Sequence, residues 1–163
     1  MMALTVDSLT RRPITPDDMA LLETIYASTR EIEMAIVPWS DQEKAAFLRM
    51  QFEAQHRHYH TFFPNAQYLL LFDGDVPVGW IYLDRRGTEM QVMDIAILPP
   101  YRNQGLGTAL MREVMDKAFA EGLSVGLHVE NFNPARRLYD RLGFLPVSED
   151  GVHIRMTATP PSS

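Results

Sequence analysis

The spacing of apolar positions changes several times along the chain, and each change marks an element. Leu9 to Ile14 reads as a short strand. Thr15-Pro16-Asp17-Asp18 then predicts a helix start. Thr15 suits the N-cap, Pro16 the first helical position, and the carboxylates the positive helix end. This helix is expected to run to about Thr29. Ser40-Asp41-Gln42-Glu43 is a capping box, so a second helix is expected from Asp41 to about His60. The segment between them, Glu31 to Ser40, is expected to be irregular around Pro38 and Trp39.

Three strands follow in a meander: Gln67–Phe72, Val76–Arg85 and Met90–Leu98, with turns at Asp73-Gly74-Asp75 and Arg86-Gly87. Pro99-Pro100 ends the third. From Gly105 the period becomes helical. Leu106, Leu110, Val114 and Ala118 form one stripe, widened by Met111, Met115 and Phe119, and Gly122 closes it. Ser124–Glu130 is a strand. Asn133-Pro134 opens a last helix with Ala135, Leu138, Tyr139 and Leu142 inward, closed by Gly143. Strands at Leu145–Ser148 and Val152–Ala158 complete a mixed α/β sheet with helices on both faces. One domain over 1–163 is expected, with its core at about 9–158 and a flexible Pro/Ser-rich tail at 159–163.

The chemistry concentrates where the third meander strand passes into a helix, at Ile97-Leu-Pro-Pro-Tyr-Arg102-Asn-Gln-Gly105-Leu-Gly107-Thr108. The first N–H groups of a helix have no intrahelical partner and carry the positive end of its dipole, which suits a pyrophosphate. The dinucleotide pattern GxGxxG fails because Leu110 fills its last position, and no Walker loop is present. The remaining pattern is R-x-x-G-x-G, and by itself it also fits glycines that merely close a turn.

Downstream lies a second motif, the strand Val125–Glu130 followed by Asn133-Pro-Ala-Arg-Arg-Leu-Tyr139-Asp-Arg-Leu-Gly143-Phe144. Together the two segments resemble motifs A and B of the GCN5-related N-acetyltransferase (GNAT) superfamily. The resemblance extends from about Leu9 to Ala158 and is most specific in residues 92–144. It implies the GNAT fold: a mixed seven-stranded sheet whose two central parallel strands, Met90–Leu98 and Ser124–Glu130, splay into a V-shaped cleft for acetyl-CoA. Gly126 and a bulge near Asp94–Ala96 would help to open that cleft.

The same resemblance assigns roles residue by residue. Backbone groups of Ile95 and Ile97 would hold the pantetheine arm. Arg102, Asn103, Gln104, Gly105, Leu106, Gly107 and Thr108 would cradle the pyrophosphate, with the Arg102 side chain adding charge. Asn133 is an N-cap on its own reading and a pantetheine contact by resemblance. Tyr139 is a core residue on its own reading and the general acid for the departing thiolate by resemblance. Some members carry a catalytic glutamate where this chain has Gln91, which cannot titrate. Asp94 is the candidate base in its place, with a sheet hydrogen bond as its plain alternative. His128 is a second substitute.

Composition narrows the options. With no cysteine, disulfides, thiolate metal sites and a cysteine nucleophile are excluded, so direct transfer in a ternary complex is expected. Fifteen Lys and Arg against 21 Asp and Glu give −6, which disfavours nucleic acid. The chain shows no apolar run of about 20 residues, and Arg11 and Arg12 follow rather than precede the first apolar stretch. A cytoplasmic protein without a membrane partner is expected.

The expected second substrate is an amine of a small molecule or peptide, walled by Glu31, Glu33 and Trp39. His56, His58 and His60 lie on a helix without metal-site spacing, so no metal is expected. A substrate-facing role for His56, Tyr59 or His60 stays open. So do a longer acyl donor, a homodimer, and a non-catalytic acyl-CoA sensor of the same fold.

Overall fold

A computed structural model describes residues 4–161. Met1 to Ala3, and Ser162 and Ser163 at the end of the expected tail, lie outside them. The order is β1 (Thr10–Pro13), α1 (Met19–Ser28), α2 (Glu31–Ala35), α3 (Asp41–Phe62), β2 (Gln67–Asp73), β3 (Val76–Arg86), β4 (Glu89–Ile97), α4 (Leu106–Ala120), β5 (Ser124–Glu130), α5 (Ala135–Arg141), β6 (Leu145–Glu149) and β7 (His153–Ala158). Local chemistry sets most boundaries. Thr15 and Asp18 form a reciprocal capping box around a 3₁₀ turn at Pro16–Asp18, which leads into α1. Ser40 and Glu43 do the same for α3. The segment expected to be irregular instead begins with the short helix α2, anchored by buried Met34.

The seven strands form one sheet in the order β1-β2-β3-β4-β5-β7-β6. Among the described residues only β4 and β5 pair in parallel; the other neighbours are antiparallel. One face packs against α4 and α5 through Leu106, Leu110, Met111, Val114, Phe144 and the inward residues of β5 and β7. The other packs against α1 and α3 through Leu22, Ile25, Phe52, Tyr68, Trp80 and Tyr82. Among the described residues no helix is long and apolar enough to cross a membrane.

Two irregularities at the centre of the sheet shape the rest. Tyr82 pairs with Asp94 and Leu83 with Val92, so Met93 is an extra residue in β4. The bulge thus falls one residue before the expected Asp94–Ala96. It reverses the alternation: Met90 and Val92 pack toward α4, and so do Ile95 and Ile97, three residues further from Val92 rather than two. Asp94 is thereby turned to the α1–α3 face, where Ala96 packs.

The second irregularity is the short contact between β4 and β5. They pair only from Glu89–Ser124 to Gln91–Gly126 and then part. Gly126, expected to help open the cleft, sits in the last of these pairs, and Glu89 approaches it closely, its carboxylate filling the space a Cβ would need. Arg155 Nη2 holds that carboxylate at 2.9 Å.

Candidate active site

Beyond Gln91, β4 has no strand partner on its β5 side among the described residues. The Leu98 N–H donates to the Val78 carbonyl across β3. By strand alternation, Ala96 and Asp94 also turn their backbone groups toward β3, and Ile95 and Ile97 turn theirs into the gap. The gap thus offers an unpaired strand edge to an extended ligand.

At the end of β4 the chain makes a 3₁₀ turn at Pro99–Tyr101 and reaches α4 through Asn103 and Gly105, both left-handed at φ 61° and 77°. Asn103 is the only non-glycine residue with positive φ among those described. Ala109 N–H is taken by the Gly105 carbonyl. The N–H groups of Leu106, Gly107 and Thr108 are the orphan donors of the first helical turn. A Cβ built on Gly107 meets nothing within 4 Å, so the fold itself does not require glycine there. Donors, dipole and clearance together fit a pyrophosphate.

The side chains of this loop serve it from behind. Gln104 Nε2 donates to the Pro100 carbonyl at 3.0 Å. Arg102 was expected to add charge at the phosphates. Its guanidinium instead points inward, to the Ile97 carbonyl at 2.7 Å and the Ser28 carbonyl at 3.0 Å. Its own N–H donates to the Pro99 carbonyl. Among the described residues neither carbonyl has another donor, and leaving one unpaired in a partly buried place is costly.

A cavity of about 380 Å³ opens where β4 and β5 part, and Asp94, Ile95, His128, Asn133 and Tyr139 line it. Asn133 Oδ1 accepts the Ala135 N–H at 2.9 Å, so it caps α5, although Pro134 rather than Asn133 immediately precedes the helix. The Tyr139 ring meets Phe144 edge-on at 5.8 Å, and its hydroxyl has no hydrogen-bond partner among the described residues. Burial, then the charge of Asp94, pushes that phenol above its usual range, so it stays protonated at neutral pH.

Asp94 Oδ2 accepts the indole N–H of wholly buried Trp80 at 2.8 Å. Burial raises the Asp94 carboxyl above the usual carboxylate range. The Trp80 bond, the Arg30 charge and the Ile95 N–H oppose that shift. Gln91 is buried, and its amide lies 3.1 Å from His128 Nδ1. Burial, then the cations Arg155 and Arg86, lowers the His128 pKa.

The three residues expected to wall the second substrate are separated. Glu33 lines this cavity with Tyr26, Thr29, Arg30 and Gln55. Glu31, two residues away on α2, faces a different hollow between α1 and α3. Trp39 packs edge-on against Phe47 of α3 at 5.3 Å. His56 and His60 face each other at 4.3 Å beside Ile14 and Met19, and Tyr59 lies among Tyr68 and Tyr82; none of these three lines the cavity.

Sequence reasoning missed Trp80 and Arg30. Strand alternation placing Trp80 beside Tyr82 on one face could have found the first; nothing local marked the second.

The family model described as acetyltransferase (GNAT) family matches residues 23–144 of this chain. A Bacillus subtilis (strain 168) protein described as a candidate ribosomal protein bS18-alanine N-acetyltransferase is 36% identical over 90 residues, covering 51% of this chain and 56% of that protein. A mycothiol acetyltransferase of Pseudarthrobacter chlorophenolicus is 39% identical over 66 residues, covering 40% of this chain and 19% of that one. The matches thus span little more than half of the first relative and a fifth of the second. Among solved structures, a PaiA N-acetyltransferase from Thermoplasma acidophilum in complex with coenzyme A superposes with a TM-score of 0.69 at 17% identity, covering 93% of this chain and 98% of that one.

Proposed function

The chain belongs to the acetyltransferase (GNAT) family, and from that premise we propose that it transfers an acetyl group from acetyl-CoA directly to a primary amine of a small molecule or peptide. One observation carries the reading: the cavity that opens where β4 and β5 part is lined by both Asp94 and Tyr139. Acetyl-CoA supplies the activated thioester. The first turn of α4 binds its pyrophosphate, and the outward backbone of Ile95 and Ile97 binds its arm. A backbone N–H of the open β4 edge near Ile95 donates to the thioester carbonyl oxygen. Asp94 takes a proton from the attacking amine, directly or through water, and Tyr139 gives one to the departing sulfur. With no cysteine in the chain, the two substrates meet in one complex.

The test is thiol release from acetyl-CoA against polyamines, aminoglycosides, amino acids and short peptides, with coenzyme A binding followed by calorimetry. Amine-dependent release supports the reading and identifies the acceptor class. Tight binding with no release for any amine favours an acyl-CoA sensor, for which the untitratable Gln91 is the specific argument. No binding removes both.

The raised carboxyl of Asp94 gives a pH signature. The ionised form is the base, so kcat/KM rises as pH passes upward through a value above the ordinary carboxylate pKa of about 4. The need for a neutral amine gives a second rise, which moves with the amine used. Asp94→Asn is expected to lower kcat/KM by about 100-fold and to remove only the limb that is independent of the amine. An acid limb that survives unchanged in Asp94→Asn would assign the proton to another group.

A further inference from the structure

One side chain joins the loop that begins α4 to the wall across the cavity. Arg102 donates from Nε to the Ile97 carbonyl and from Nη2 to the Ser28 carbonyl, with Ser28 Oγ at 3.5 Å. Among the described residues no backbone donor takes either carbonyl. Ile97 faces the gap that β5 has left. Ser28 ends α1, where the next N–H groups, from Thr29 and Arg30, go to Tyr26 and Ala27. The guanidinium therefore caps the negative end of α1 while gripping the end of β4. Its planar fork fixes two carbonyls relative to each other, which a lysine ammonium does not. Ser28 is buried, and the residues after it, Thr29, Arg30 and Glu33, line the cavity.

We propose that Arg102 is a positioning residue that couples occupancy of the α4 loop to the order of the acceptor wall at residues 28–33. The inference rests on the acyl-CoA reading above. A pyrophosphate on the N–H groups of 106–108 immobilises the loop backbone, Arg102 stays seated on both carbonyls, and the end of α1 loses freedom. The amine then meets a wall already ordered, so donor binding strengthens acceptor binding.

Hydrogen–deuterium exchange with saturating coenzyme A tests this without knowledge of the acceptor. In the wild type, coenzyme A is expected to slow exchange at 103–110, and also at 28–34 by about threefold or more. In Arg102→Ala and Arg102→Lys, each saturated in its turn, slowing at 103–110 is retained and the slowing at 28–34 is lost. A merely structural arginine would raise exchange at 28–34 equally with and without coenzyme A. Wild-type protection confined to 103–110 overturns the proposal without any variant, as does protection at 28–34 that persists in both variants. A wild-type chain that binds no coenzyme A overturns the acetyltransferase reading itself, and is distinguished by the absence of protection at 103–110.

Discussion

Tyr139→Phe is expected to lower kcat by about 100-fold or more while leaving coenzyme A affinity within about threefold. The phenylalanine ring keeps the edge-on contact with Phe144 and the packing against the α4 face of the sheet. Among the described residues the lost hydroxyl has no hydrogen-bond partner, so its removal orphans no buried group, and the melting temperature should hold. What disappears is a proton. The phenol pKa is raised by burial and by the charge of Asp94, so the wild-type group is protonated throughout the neutral range. A proton donor is needed only as the thiolate departs, hence the expected loss in kcat rather than in binding. Steady-state kinetics and calorimetry on one preparation decide it. Equal losses in both would reduce Tyr139 to packing.

The parts of the fold set by neighbouring residues were legible in the chain. Thr15 with Asp18 and Ser40 with Glu43 are three residues apart, and each pair capped the expected helix. The stripe from Leu106 to Ala118 met the core as its period required. The bulge also leaves a trace. The alternation of Met90 and Val92 would carry Asp94 into the α4 core, while Ile95 and Ile97 sit on the opposite parity, so one extra residue resolves the conflict.

What stays illegible in the chain depends on partners distant in sequence. Arg102 beside a phosphate-type loop reads locally as a phosphate ligand, yet its acceptor Ser28 lies 74 residues away and no pattern links them. Glu31, Glu33 and Trp39 read as one wall for a cationic amine because two carboxylates and an aromatic share one short segment. The helical turn at Glu31–Ala35 is too short to show a period, and it sends the first two to different hollows.

Gly107→Trp is expected to weaken coenzyme A binding by at least about 100-fold, equivalent to about 2.7 kcal/mol, in a protein that still folds. Glycine inside a helix is less stable than alanine by about 0.5–1 kcal/mol, so its presence needs a reason. Gly107 has no positive φ, and a Cβ there meets nothing within 4 Å, so the reason is not internal to the fold. Clearance for a ligand over the first turn of α4 supplies one, and an indole would fill that clearance. Gly107→Ala serves as the control. It should gain about 0.5–1 kcal/mol in stability, with a smaller loss of affinity than tryptophan causes. Gly105, at φ 77°, gives the opposite result for the opposite reason. Alanine there strains the left-handed turn, and it should lose about 1 kcal/mol of stability. Denaturant melts and calorimetry on the three variants separate backbone strain from ligand clearance. A folded Gly107→Trp that binds coenzyme A as the wild type does would remove the pyrophosphate from this loop, and with it the reason for placing the thioester beside Ile95.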